Sequence, residues 1–388
     1  MHGTPSLTAA RRAISITFLV NGIVLATWAA RIPAVRERLV LRESALGFAL
    51  LGMAAGALLA FRAAGPLIAR FGSRRITRVA TVLLCATLPL PGLAPSYALL
   101  VVGLVLLGAA NGLLDVAMNA QGVEVERRVG RPILSAFHGM FSLGGLVGAV
   151  AGALAAVVEL SPAVHFLLVA SIVAVPAAVV GRAFVADTPE KPAADTSGER
   201  RSTLIILLGI IGFCGAVGEG AIADWSAVYL RDDLHTSASV AAIGFAVFSL
   251  AMLIGRFSGD ILTQRFGAVR IVRAAGLVVT GGLGAALLVN APAAMMVGFA
   301  CVGAGLSVVV PLVFRAGANV PGISPGRGLA TIATMTYGGF LAGPPVIGFV
   351  ADRFTLRFGL ALVVALGLVI VLLARVLEPR LDDRSRIA

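Results

Sequence analysis

The amino-acid sequence predicts an all-α integral membrane protein with twelve transmembrane helices in two pseudo-symmetric six-helix bundles, and three observations carry that expectation. First, 59% of the 388 residues are hydrophobic, only 13% are charged, and mean hydropathy is +0.98. These values are foreign to a soluble globular chain. Second, the apolar residues gather into stretches close to the ~20 residues that one bilayer crossing requires. Third, the second half of the chain repeats features of the first at a fixed offset of 195 residues, as two parallel repeats would.

The first stretch, near 13–31, follows Arg11-Arg12 and resembles the start of a secretory signal. It continues apolar to about Ala30 without a convincing cleavage site, so it is read as the first helix. The next two, near 44–64 and 79–95, flank a glycine- and arginine-rich loop. Three more follow near 97–122, 133–157 and 164–185, bounded by charge or by proline and glycine. The second half offers 203–229, 239–262, 274–291, 294–316, 329–350 and 358–377. The polar, proline-bearing run from Asp187 to Arg201 reads as a linker. The expected organisation is therefore an N-terminal bundle over 1–185, a cytoplasmic linker over 186–202, and a C-terminal bundle with a short tail over 203–388. The 46 glycines suit closely packed membrane helices.

Arg70, Arg74, Arg75 and Arg78, then Arg127, Arg128 and Arg131, then Arg265, Arg270 and Arg273 all follow even-numbered spans. By the positive-inside rule both termini are expected to be cytoplasmic, although Arg36, Arg38 and Arg42 fall on the opposite side. The net charge of +12 is scattered between apolar runs instead of forming a patch with interleaved aromatics, so topology and not a nucleic-acid partner accounts for it. Cys85, Cys214 and Cys301 all lie in apolar segments and read as small core residues.

The repeat places Arg70-Phe71-Gly72 on Arg265-Phe266-Gly267, Gly108 on Gly303, Leu134 on Leu329, Gly144 on Gly339 and Gly148 on Gly343. Within the fourth span, Asn111, Asp115 and Asn119 recur every four residues and so share one helical stripe about 12 Å long. An acid at that depth costs about 2.5 kcal/mol even on a lenient insertion scale, which makes it a functional-site candidate facing a wet cavity.

The loop Gly65-Pro-Leu-Ile-Ala-Arg70-Phe-Gly72-Ser-Arg74-Arg75 resembles the signature of the major facilitator superfamily, and the likeness extends over essentially the whole chain. The usual loop aspartate is Ala69 here and Gln264 in the repeat, with Asp260 one turn earlier. By this resemblance Arg70, Arg265 and Asp260 are expected in cytoplasmic gating. Leu114-Asp115-Val-Ala-Met-Asn119 is similar to the fourth helix of fucose-permease-type proton symporters, which implies that Asp115 is the proton-linked carboxylate. Those symporters carry a further acid in helix one, where this chain has only Asn21, Trp28 and Arg31, so sugar specificity does not carry over. The strings 111–122, 135–142 and 219–225 resemble the YbjJ-type bacterial inner-membrane proteins.

His138 should lie at a depth similar to Asp115. Desolvation opposes the charge of such a carboxyl while a nearby imidazolium favours it, so the two could exchange a proton near neutral pH or simply form a structural hydrogen bond. Glu219, between Gly218 and Gly220, is a second isolated acid, a proton or solute ligand or else a packing group. Arg31 and Asp224 end helices that approach one another in the resembled fold, and are expected to form an outer gate; snorkelling of Arg31 is the plainer account. Trp28 and Trp225 could stack on a solute or serve as interfacial belt residues, and Asn21, Asn111 and Asn119 could offer amides to a polar ligand or to a neighbouring helix. Arg62, Arg256 and Arg315 read as lying near cytoplasmic helix ends. Gly139, Gly144, Gly145 and Gly148, with Gly343-Pro344-Pro345 in the eleventh span, faintly resemble an antiporter motif.

No phosphate-cradling loop, metal-ligand cluster, serine elbow or paired catalytic carboxylates occur. The expectation is therefore a secondary transporter and not an enzyme, without cofactor or metal, monomeric in a bacterial inner membrane, with lipids, protons and a small-molecule solute as partners. Proton-coupled symport of a small polar solute is the leading mechanism. Proton-driven efflux is the alternative within transport, and a non-transporting sensor the alternative outside it.

Overall fold

The computed structural model describes residues 6–41, 43–187, 198–236 and 238–378. Among the described residues all regular structure is helical, because an apolar environment leaves backbone N–H and C=O groups no partner but one another. Eleven stretches are long and apolar enough to cross a membrane. The twelfth crossing is α13 (Pro325–Arg353), which has the length but is diluted by Thr331, Thr334, Thr336, Tyr337 and its glycines. The protein is a multi-pass all-α membrane protein.

The chain divides into two compact units, residues 1–193 with 323–331, and residues 194–322 with 332–388. The first holds α1 (Leu7–Arg38), α2 (Glu43–Phe71), α3 (Ser73–Thr87), α4 (Pro89–Leu93), α5 (Tyr97–Val129), α6 (Leu134–Val157) and α7 (Pro162–Val180). The second holds α8 (Gly198–Val228), α9 (Ala238–Phe266), α10 (Ala268–Val289), α11 (Pro292–Leu306), α12 (Val309–Ala318), most of α13, and α14 (Leu356–Leu373). Two expected single spans are thus broken. Pro89 and Pro91 separate α4 from α3, having no N–H to give to the carbonyls of the preceding turn. The interruption at Ser307–Val308 divides α11 from α12, four residues before Pro311, which has no N–H to offer the Ser307 carbonyl.

Within each unit, glycine decides which helices touch. A Cβ on Gly108 would lie 1.9 Å from the carbonyl oxygen of Met53, and one on Gly303 would lie 2.2 Å from that of Phe248. Both glycines and both carbonyls are related by the same offset of 195. The internal repeat is therefore a repeat of backbone contacts: α2 against α5 in one unit, α9 against α11 in the other. A second pair repeats with its glycines again 195 apart and their partners 194 apart. Gly144 and Gly148 seat the carbonyls of Leu19 and Ile23 of α1, while Gly339 seats that of Phe213 and Gly343 meets Val217 of α8. At van der Waals distance the backbones gain dispersion and weak Cα–H···O contacts that bulkier residues would forbid.

Gly72 and Gly267, also 195 apart, take φ of 79° and 81°, conformations that favour glycine, and each turns the chain into the next helix. At the first of these turns Asp187 accepts from the Ser73 backbone N–H at 2.7 Å and from the Ser73 hydroxyl. Gln121 holds the same point, donating to Ser73 Oγ at 2.6 Å and to the Val185 carbonyl at 2.9 Å, and accepting from the Val185 N–H. Arg128 donates to the Ala186 carbonyl. Asp187, expected as linker, is thus an N-terminal cap for α3, a favourable place for a carboxylate. Residues 188–197 of the expected linker lie outside the described residues, and α8 already begins at Gly198.

Arg38, one of the arginines on the wrong side by the charge rule, donates to the carbonyls of Pro91, Gly92 and Ala94 at the end of α4. Its charge answers the unsatisfied carbonyls of a helix C-terminus, which accounts for its position without appeal to orientation.

Candidate functional site

The first cluster lies in the N-terminal unit, where α5 and α6 are brought together. Asn119 is fully buried, and its amide nitrogen donates to the Asp115 carbonyl at 2.8 Å and to Asp115 Oδ1 at 3.2 Å. Its amide oxygen stands 3.1 Å from His138 Nε2. With the nitrogen committed to Asp115, the oxygen must accept, which assigns the proton to Nε2 of His138. The result is a continuous chain from carboxyl to imidazole through one amide. Asp115 itself is only half-buried, while His138 is buried with its ring 5.2 Å from that of Phe18. Within its unit Asp115 has no Arg, Lys or His in ion-pair range among the described residues.

Asn119, expected to meet solute, is corrected to a residue that positions Asp115 and His138, because both ends of its amide are occupied and its side chain is sealed. Asn21 points its amide nitrogen at Met118 Sδ, 3.9 Å away, while its Oδ1 is buried and has no partner among the described residues. Asn111 is buried at 3% exposure. Trp28, expected as a stacking surface, is 2% exposed and edge-on to Phe166, with ring centroids 6.1 Å apart, so packing has claimed it.

Arg31 is buried and donates to the Leu160 carbonyl at 2.5 Å, which ties α1 to the turn before α7. It is therefore not a snorkelling side chain stretched toward headgroups. Asp224 is exposed on α8. Trp225 is half-buried against Gly348 of α13, and its indole N–H has no partner among the described residues. Arg70 and Arg265 lie over the rings of Phe71 and Phe266 at 5.1 and 5.3 Å, a cation–π use in both repeats. Asp260 is half-buried on α9.

The second cluster lies in the C-terminal unit. Glu219 of α8 is ion-paired with Arg256 of α9 at 3.5 Å. Arg256 sits 13 residues after Ile243 and 10 before Phe266 in one apolar stretch, roughly 15 Å from the nearer end by helix rise. The expectation that it lies near a helix end is corrected, since α9 continues well past it. Sequence reading gave it no partner because the pairing joins two helices, and only the excess of charge in an apolar run could have signalled it.

Other polar residues that carried no expectation prove to be structural. Glu126 accepts from the Ile133 and Leu134 N–H groups at 2.8 and 3.0 Å and so caps α6, and Glu124 pairs with Arg127 and Arg128.

Comparison with known proteins agrees with this architecture. The family model described as Major Facilitator Superfamily matches residues 14–322 and 208–387. The chain is 34% identical over 371 residues to the protein named "Uncharacterized transporter y4wD" of Sinorhizobium fredii, covering 95% of this chain and 98% of that one. Among solved structures it is similar to a variant of the E. coli fucose:proton symporter FucP, with a TM-score of 0.76 at 16% identity over 95% of this chain and 98% of that one. It is similar also to the proton:xylose symporter XylE, with a TM-score of 0.72 at 14% identity over 94% of each. At these identities the structural likeness speaks to fold alone, while the family match and the curated relative settle kinship. The chain belongs to the major facilitator superfamily, and is a membrane transporter and not an enzyme.

Proposed function

We propose that this protein is a proton-coupled symporter of a small polar solute, working by alternating access in a bacterial inner membrane with both termini in the cytoplasm, as a monomer. The observation that carries the reading is the half-buried carboxyl of Asp115, linked through Asn119 to His138 and lacking a cationic partner in its own unit among the described residues. A carboxyl so placed can exchange a proton with water from a cavity without first breaking an ion pair. His138 supplies a second titratable group to which Asn119 relays orientation. The resemblance to proteins named as fucose:proton and proton:xylose symporters supports the same coupling.

Glu219 is the second candidate acid, with Asn21, Asn111 and Trp225 as candidates to meet solute. Arg31 with Asp224 remains the proposed outer gate, and Arg70, Asp260 and Arg265 the proposed inner one. Two units of like internal architecture, moving as bodies about a shared site, are what alternating access requires.

The test uses purified protein in liposomes with an imposed pH gradient and a panel of radiolabelled sugars, polyols and amino acids. Inward proton flux accompanied by solute uptake is expected, and Asp115→Asn should abolish gradient-driven uptake while leaving solute counterflow. Uptake indifferent to the gradient, or an unaltered gradient response in Asp115→Asn, refutes the coupling. Solute leaving against the proton flux would convert the reading to export.

A further inference from the structure

The interruption between α11 and α12 falls within a single apolar stretch of 27 residues, Pro292–Ala318. Two neighbouring helices approach it through glycine. A Cβ on Gly255 of α9 would lie 2.2 Å from Ser307 Oγ, and one on Gly218 of α8 would lie 2.8 Å from Leu306 Cδ1. The residue after each glycine is charged: Arg256 follows Gly255, and Glu219 follows Gly218. The two side chains meet at 3.5 Å. The ion pair therefore joins α8 to α9, the two helices whose neighbouring glycines meet the α11–α12 interruption, at a depth where a charge is costly unless it has a partner or a use.

The pair is a poor structural device. Its separation exceeds the 2.7–2.9 Å of a good charge-assisted hydrogen bond, and apolar residues of similar volume hold buried helices together as well or better. Its exposure is also uneven, with the Glu219 side chain 25% accessible and that of Arg256 8%. The acid is the member a solute can reach, and the guanidinium stands behind it.

We propose that Arg256 is a specificity-determining residue: by compensating Glu219 it sets the net charge of this part of the solute site to zero, so that the solute accepted there is a neutral, hydrogen-bonding molecule. Glu219 then accepts from a hydroxyl or amide donor on the solute, while Arg256, standing behind it, supplies the compensating charge. An uncompensated carboxylate at this depth would select a cation, and an uncompensated guanidinium an anion. The inference rests on the transport reading but not on proton coupling, because it concerns equilibrium binding.

The experiment is thermal-shift and calorimetric binding, without any pH gradient, to three matched probes: a neutral sugar panel of glucose, fucose and xylose, then glucosamine, then glucuronate. The wild type is expected to bind at least one neutral probe and neither charged one. Arg256→Gln should gain affinity for glucosamine by about tenfold or more, and Glu219→Gln should gain affinity for glucuronate to a similar extent. The double variant, uncharged at both positions, should return to the neutral preference, which a merely structural loss would not do. Failure of every neutral probe to bind the wild type, or single variants whose charge preference does not move in these opposite directions, overturns the proposal. If Arg256→Gln does not fold, Glu219→Gln and the double variant still decide it. A symporter without proton coupling would fail the liposome test yet pass this one.

Discussion

Removal of the Asn119 amide separates the proposed chain from a chance juxtaposition, and its cost follows from the geometry. Asn119→Ala deprives His138 Nε2 of an acceptor 3.1 Å away and Asp115 Oδ1 of a donor 3.2 Å away. Asp115 is accessible enough to be hydrated instead, so that loss is small. His138 is 7% exposed, and an orphaned buried N–H costs about 1–3 kcal/mol. Interhelical hydrogen bonds in membranes average about 0.6 kcal/mol and reach about 1.7, and the sealed position of Asn119 places this one toward the upper figure. A double-mutant cycle of Asn119→Ala with His138→Phe isolates the contact, since the phenylalanine removes the N–H and keeps the ring against Phe18. A coupling of about 1 kcal/mol or more is expected from equilibrium unfolding in mixed micelles. Additivity within about 0.3–0.5 kcal/mol, the margin for independent sites, would refute the argument that one amide joins carboxyl and imidazole.

Three further outcomes follow from contacts described above. Gly108→Ala and Gly303→Ala should each lose about 1–3 kcal/mol by forcing helices apart, whereas Gly145→Ala and Gly281→Ala, where an added Cβ meets nothing within 4 Å, should lose none; thermal unfolding of the four variants checks this. Asp187→Ala should cost about 1 kcal/mol as a lost helix cap and raise hydrogen exchange at the Ser73 amide. Glu126→Ala leaves two N–H groups at the start of α6 without their acceptor and should cost about 1–2 kcal/mol, with faster exchange at Ile133 and Leu134.

The repeat was legible because its register is written in glycines: Gly108 and Gly303 must be small to seat a carbonyl, so their spacing survives in the sequence. The stripe of Asn111, Asp115 and Asn119 was legible for a similar reason, since helical period alone puts the three on one face. The assignments within that stripe were not. Asn119 turned from ligand candidate to bridge only because α6 brings His138 to its far side. Trp28 was read from its depth, yet Phe166, distant in sequence, covers it. Arg256 was misplaced because a ladder of apolar residues conceals where a helix leaves the membrane, and α9 runs on past the point where charge first occurs. Asp187 reads as linker in the sequence because capping of α3 from a residue more than a hundred positions away has no local signal. The break at Ser307 is marked only by Pro311, four residues on, a weak signal because Pro66, Pro176, Pro344 and Pro345 sit inside continuous helices.

The carbonyls lodged against Gly108 and Gly303 act as pawls. Sliding α5 by one residue along α2, or α11 along α9, would drive a side chain into a slot sized for hydrogen, so longitudinal slippage inside these pairs is blocked. Any bending inside a unit is then steered to where its helices are already discontinuous, at Ser307–Val308 and at Leu88–Pro89, leaving the paired helices as inextensible struts.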